Sequence, residues 1–141
     1  MAALFNFEVH TPYRFFYNGK VQSVTLQLLD GEICVYAKHS AFIAPVVTGI
    51  LRFKYADGKS RTAFISDGIF QVKEYKYVLM VDTAEWPEEI DYQQAIAEKE
   101  KAEETIEEGT FKFETEAALA ALCRAKMRVR AWEEGQTQTH A

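Results

Sequence analysis

The chain has 141 residues, with 16 Lys and Arg against 21 Asp and Glu for a net charge of −5; this is enough for one sizeable core or a small core with an appendage, and the charge argues against a general nucleic-acid binder. No apolar run reaches the length of a membrane span, and "MAALFNFEVH" lacks the basic and apolar regions of a signal peptide, so the protein reads as soluble, reaching a membrane only through a partner. Two cysteines, Cys34 and Cys123, are too few for a disulfide scaffold and lack metal-ligand spacing, and they read as buried, reduced thiols of a cytosolic protein.

From Leu4 to about Trp86 the hydrophobic period is two. "LFNFEVH" alternates Phe5, Phe7 and Val9 against Asn6, Glu8 and His10, the pattern of a half-buried strand. "YNGK" (Tyr17 to Lys20) contains Asn-Gly, the strongest short hairpin signal, and predicts a turn. "VQSVTLQLL" reads as a strand, Asp30-Gly31 as a turn and "ICVYA" as a short buried strand. "TGILRFKYADGKSRTAFISDG" reads as a hairpin turning at Asp57-Gly58, and "IFQVKEYKYVLMVDTA" gives two strands around Glu74-Tyr75. Roughly nine or ten short strands at this spacing predict an all-β sandwich or flattened barrel. Within that hairpin "RFKY" and "KSR" interleave cations with aromatics, as single-strand nucleic-acid binders do. Strand alternation instead sends Phe53 and Tyr55 to the core side and Arg52 and Lys54 to solvent, with Lys54 near Arg61 across the turn.

Pro87 marks a boundary between residues 1–86 and 87–141. "EEIDYQQAIAEKEKAEETIEE" is rich in helix formers, Asp91 with Gln94 has the form of a capping box, and Gly109 is a plausible stop. "TFKFETEAALAALCRAKMRVRAWEE" predicts a second helix whose Phe111, Ala118, Leu122, Ala125, Val129 and Trp132 form an apolar stripe. The short link favours an antiparallel α-helical hairpin, and "GQTQTHA" reads as a frayed tail. The first helix offers mainly Ala95, Ile96, Ala102 and Ile106 to its partner, so the hairpin is expected to be loosely held.

No grouping of catalytic residues emerges. His10, His39 and His140 fall in a strand, a loop and the tail, and no zinc-protease, nucleophile-elbow or phosphate-loop motif is present. The acidic run of the first helix reads as a solvated face. Arg124, Lys126, Arg128 and Arg130 form a basic cluster without an intervening acid. The segment from Asp30 to Gly49, with His39 and an apolar stretch broken by Pro45, is not explained by composition.

Taken in order, these pieces resemble the epsilon subunit of the rotary F-type ATP synthase. "TPYRFFYNGKVQSVTLQLLDGEICV" matches the opening strands of that family, and "KHSAFIAPVVTGIL" resembles its Gly-His-Ala-Pro loop. "FISDGIFQV" resembles its Ser-Gly-Gly-Phe strand, and "VDTAEWPEEIDYQQA" the Ala-Asp-Thr-Ala segment leading to an Ile-Asp-x-x-Arg-Ala helix start. The likeness runs from residue 4 to about 133. It departs at Lys38, where the pattern has Gly, at Phe42, where it has Pro, and at Cys34, where a Gly is usual.

The resemblance implies an N-terminal β-sandwich of about ten strands bound to the gamma subunit and the membrane c-ring. It also implies a C-terminal antiparallel helical hairpin that extends into the catalytic head of alpha and beta subunits and blocks ATP hydrolysis. On this reading the protein is a non-catalytic coupling and regulatory subunit at the cytoplasmic face of the cell membrane, needing no metal or cofactor. Glu32, His39 and Phe42 match positions facing gamma and the c-ring. Arg124, Lys126, Arg128 and Arg130 match the part of the second helix that meets an acidic segment of the beta subunit. In some members ATP binds the closed hairpin; Asp91, Ala95, Arg124 and Arg128 match that site, but Gln94 stands where the motif has Arg. A neutral amide lacks both the charge and the forked donors that hold phosphate. The rival classes are a free-standing β-sandwich binding module and an independent nucleotide sensor.

Overall fold

A computed structural model describes residues 3–109 and 112–139. The chain divides into two compact units at Glu85/Trp86.

The first unit is built of ten strands: β1 Phe5–His10, β2 Phe15–Val21, β3 Ser23–Leu28, β4 Gly31–Tyr36, β5 Phe42–Val46, β6 Gly49–Lys54, β7 Ser60–Ile65, β8 Gly68–Val72, β9 Lys76–Val81 and β10 Ala84–Glu85. The hydrogen-bonded order is β10-β7-β6-β3-β5-β8-β9-β1-β2, with β4 paired to β3. All pairs are antiparallel except β1 with β9. The ladder folds over its own apolar side. Phe7 on β1 and Phe53 on β6 are far apart in strand order, yet their rings lie 5.7 Å apart, and Tyr17 on β2 reaches Phe53 at 4.6 Å. Phe7, Val9, Val24, Leu26, Leu51, Phe64, Phe70, Tyr77 and Leu79 are fully buried between the two layers. The expected sandwich is therefore what these alternating sequences form.

Three local expectations are corrected. Asn18-Gly19 makes no turn: both residues lie inside β2, paired with Glu8 and Phe7 of β1. The reversal occurs earlier, at Thr11–Arg14, where the Thr11 hydroxyl accepts the N–H groups of Tyr13 and Arg14. Gly19 serves packing instead, because a Cβ there would stand 2.6 Å from the Tyr17 hydroxyl folded over it. Neither cysteine is buried. Cys34 is exposed on β4, which among the described residues pairs only with β3, and Cys123 is exposed on the second helix. The "ICVYA" strand is accordingly half-buried, with Val35 its fully buried residue. The Asp57-Gly58 hairpin forms as expected, with Gly58 at φ 87 closing the loop between Tyr55 and Lys59. Arg61 sits opposite Phe53 rather than Lys54, and its guanidinium donates to the Tyr55 hydroxyl at 3.2 Å.

The second unit opens with a 3-10 turn, Pro87–Glu89, followed by α1, Tyr92–Glu108, and α2, Lys112–Thr139. The Asp91 carboxylate accepts the Gln94 N–H at 3.0 Å, and Gly109 ends α1 in the left-handed conformation with φ 53. The helices are antiparallel: Tyr92, at the start of α1, stacks on Trp132, near the end of α2, at 4.2 Å. Ala95 and Ala102 of α1 and Ala118, Ala125, Val129 and Ala131 of α2 are buried. Ile96, Ile106 and Leu122 are only half-buried, so the interface is narrower than the apolar stripe suggests. Phe111 lies outside the described residues. The segment read as a frayed tail is helical through Thr139, with His140 and Ala141 outside the described residues. Gly135 is buried against Pro87, and its missing side chain is what admits the proline ring.

Candidate functional site

The segment left unexplained by composition is a structured loop. β4 ends at Tyr36, and Ala37 and Lys38 form a turn before β5 begins at Phe42. Lys38 adopts φ 64, a backbone region that favours glycine. The buried Tyr77 hydroxyl, presented by β9, donates to the Tyr36 carbonyl at 2.7 Å and accepts the His39 N–H at 3.1 Å. The exposed His39 ring sets Nδ1 2.8 Å from the Ser40 carbonyl oxygen and lies edge-on to Phe42 at 5.1 Å. Phe42 in turn meets the core ring of Phe70 at 5.9 Å. Thus His39 and Phe42 come together on one anchored loop. Glu32 does not join them. It lies at the other end of β4, beside the β3–β4 turn, four steps along the strand from Tyr36, about 13 Å. Its carboxylate is 3.8 Å from the Arg52 guanidinium.

A larger feature escapes single-residue reading. The outward face of β5-β8-β9-β1-β2 carries a row of residues in direct register: Pro45 opposite Ile69, Ile69 opposite Met80, Met80 opposite His10, and His10 opposite Phe15. Ile69, Met80 and Phe15 are 44%, 45% and 54% exposed, and neighbouring Ile43 is 64% exposed. Four strand spacings make this row about 19 Å long. Its flank is polar. Glu8 lies one row over, 2.8 Å from the Lys76 ammonium and 3.2 Å from His10 Nε2. The Lys76 hydrogen bond, aided by His10, holds the Glu8 carboxyl below its ordinary range against an opposing contribution from burial. An apolar strip with a polar border is the anatomy of a protein-binding face. The signal in the sequence is that Ile43, Pro45, Ile69 and Met80 occupy positions that alternation assigns to solvent.

In the hairpin, the candidate nucleotide residues are shared between the two helices, Asp91 and Ala95 at the start of α1 and Arg124 and Arg128 on α2. The Asp91 carboxylate caps α1, and Ala95 is buried in the helix interface. Arg128 is 3.4 Å from Glu98. Arg124 lies eight residues before Trp132, the partner of Tyr92, so it stands about 12 Å along the hairpin from the end where Asp91 sits. It lines instead a cleft of about 710 Å³ with Glu98, Lys101, Ala102, Thr105 and Ala118. Arg124, Lys126 and Arg130 are exposed, and Arg130 pairs with Glu134 one turn away at 3.4 Å. No group of three metal-binding side chains occurs among the described residues.

Two family models cover nearly the whole chain. The ATP synthase delta/epsilon chain beta-sandwich domain matches residues 4–87, and the long alpha-helix domain of the same chain matches residues 88–133. The chain belongs to the ATP synthase delta/epsilon family. Among similar delta/epsilon proteins, the ATP synthase epsilon chain of Caldicellulosiruptor saccharolyticus is 42% identical over 94% of this chain and 96% of its own length. That of Caldanaerobacter subterraneus subsp. tengcongensis is 40% identical over 92% and 94%. The fold is similar to that of a chain in the Euglena gracilis mitochondrial ATP synthase, with a TM-score of 0.71 and 20% identity, covering 100% of this chain and 84% of that one. A chain of the Tetrahymena thermophila mitochondrial ATP synthase central stalk and c-ring is also similar, with a TM-score of 0.64 and 14% identity, covering 93% and 98%. The delta/epsilon layout, β-sandwich then paired helices, thus spans the chain in the order the sequence motifs give.

Proposed function

We propose that this chain is the non-catalytic epsilon subunit of a proton-translocating F-type ATP synthase. It joins the central stalk to gamma and the c-ring and restrains ATP hydrolysis through its hairpin. The observation that carries the first half is the exposed apolar row from Pro45 to Phe15, a surface suited to a permanent protein partner. In this reading residues 1–86 bind the rotor, with His39 and Phe42 on the anchored loop and Glu32 at the β3–β4 turn as further contacts. Residues 87–141 regulate. Exposed Arg124, Lys126 and Arg130 give α2 a basic surface for an acidic segment of the beta subunit, and Arg128 joins it when the Glu98 pair opens. No helix among the described residues is long and apolar enough to cross a membrane. In this reading the subunit sits at the cytoplasmic face of the cell membrane, attached through the complex.

Affinity isolation of the tagged chain from its own cells tests the assignment. Recovery of gamma, alpha and beta is the expected result, and a monomer without them overturns it in favour of a free-standing module. Deleting the residues after Trp86 tests the regulatory half. Coupled ATP synthesis is expected to persist while ATP hydrolysis by the complex rises. Unchanged hydrolysis removes the inhibitory role.

A further inference from the structure

We infer that Tyr77 is a positioning residue for rotor docking, its hydroxyl holding a strained turn so that His39 and Phe42 present a fixed surface. The inference rests on the docking role proposed above for that loop.

Tyr36, Ala37, Lys38 and His39 reverse the chain. Among the described non-glycine residues only Lys38 has positive φ, so Ala37 precedes it with negative φ, the pattern of a type II turn. Such turns favour glycine at the third position because a side chain there crowds the backbone. In a closed turn the first carbonyl accepts the fourth N–H directly. Here those two groups, Tyr36 C=O and His39 N–H, meet through the Tyr77 hydroxyl, at 2.7 and 3.1 Å. The hydroxyl satisfies both ends of the turn and offsets the strain at Lys38.

Tyr77 is itself packed into the core. It is 1% exposed, its ring stacks on Phe5 at 4.0 Å and it meets Phe70 edge-on at 6.3 Å. Phe70 also supports Phe42, and Phe42 supports His39. The loop is therefore fixed twice, through its backbone by the hydroxyl and through its side chains by Phe70. A partner meeting such a loop does not have to order it, which lowers the cost of binding.

The clamp and the strained residue depend on each other, and this gives a test that simple packing does not pass. Full-length Tyr77→Phe, Lys38→Gly and the double variant are each compared with the wild-type chain. Amide exchange of the free proteins is read first, then rebinding to ATP synthase stripped of this subunit. In Tyr77→Phe, exchange of the His39 amide is expected to accelerate at least roughly tenfold, while the Leu51 and Phe53 amides keep their protection, showing an intact core. Rebinding is expected to weaken about tenfold, which corresponds to about 1.4 kcal/mol. Lys38→Gly in the Tyr77→Phe background is expected to recover most of that affinity, because glycine holds the turn without help. Unchanged His39 exchange in Tyr77→Phe overturns the clamp. Loosened exchange with undiminished rebinding, or weakened rebinding that Lys38→Gly does not recover, overturns the positioning role. The docking role of the loop is judged separately by His39→Ala with Phe42→Ala. If that pair rebinds like wild type, the loop is not a docking surface, whatever the exchange of the His39 amide shows.

Discussion

Gly68 faces Val81 on β9, and a Cβ built on it collides with the Met80 carbonyl oxygen and with Val81. Backbone cannot rotate away as a side chain can. Gly68→Ala is therefore expected to destabilise the β-sandwich by about 1–3 kcal/mol, the usual cost of overpacking, measured as a lower urea midpoint. An unchanged midpoint would mean that β8 and β9 separate freely at this position. Glu8 makes a different prediction. Its carboxyl titrates below its ordinary range in the fold, chiefly because Lys76 donates to it. A carboxyl with a lowered native pKa contributes stability above its unfolded pKa and loses it as pH falls through the native one. Stability of the wild type relative to Glu8→Gln should be greatest near neutral pH and should shrink on acidification below the ordinary carboxylate pKa. Urea melts of both proteins across that range test this. A constant gap would show that the fold leaves the Glu8 carboxyl at its ordinary pKa.

At the scale of elements, strand alternation and helix caps were readable because each depends on near neighbours. Asp91 caps α1 through its own carboxylate, and Gly109 closes it through its own φ. Asn18-Gly19 was misread because a turn propensity loses to the ladder that β2 forms with β1, and nothing local shows that β1 lies alongside. The apolar row from Pro45 to Phe15 was hidden for a similar reason. Its five residues come from five separate strands, brought into line only by the register. His39 and Phe42 could be picked out in the sequence through resemblance, but the hydroxyl beneath their loop belongs to β9, 38 residues from His39. Gly135 shows the same limit in the hairpin. Helix propensity alone favours alanine there by about 1 kcal/mol. The rigid Pro87 ring occupies the space that a Cβ needs, and overpacking costs about 1–3 kcal/mol. Gly135→Ala is therefore expected to lower the thermal stability of the hairpin, against the propensity scale. A rise in its melting temperature would show that the proline contact is dispensable.

At the scale of the molecule, two units of different construction share one chain. The β unit buries large side chains, among them Phe64 and the linked rings of Phe53, Phe7, Phe70 and Tyr77. The hairpin buries mainly alanines along its seam, closes one end with the Tyr92–Trp132 stack, and leaves a cleft of about 710 Å³ farther along. Each alanine removes little apolar area from water, and at roughly 25 cal/mol per Å² the seam contributes correspondingly little. The Glu98–Arg128 pair adds little more, since its carboxylate is half exposed to screening solvent. Local opening follows local burial. Amides of α1 and α2 are therefore expected to exchange faster than those of β1, β6 and β9 by at least about tenfold, with α2 near Ala118 opening before α2 near Trp132. Hydrogen exchange read by mass spectrometry on the full chain resolves both comparisons. Protection of the hairpin equal to that of the β core would rule out its low-cost opening, and with it the physical basis for a hairpin that leaves its folded state to act on a partner.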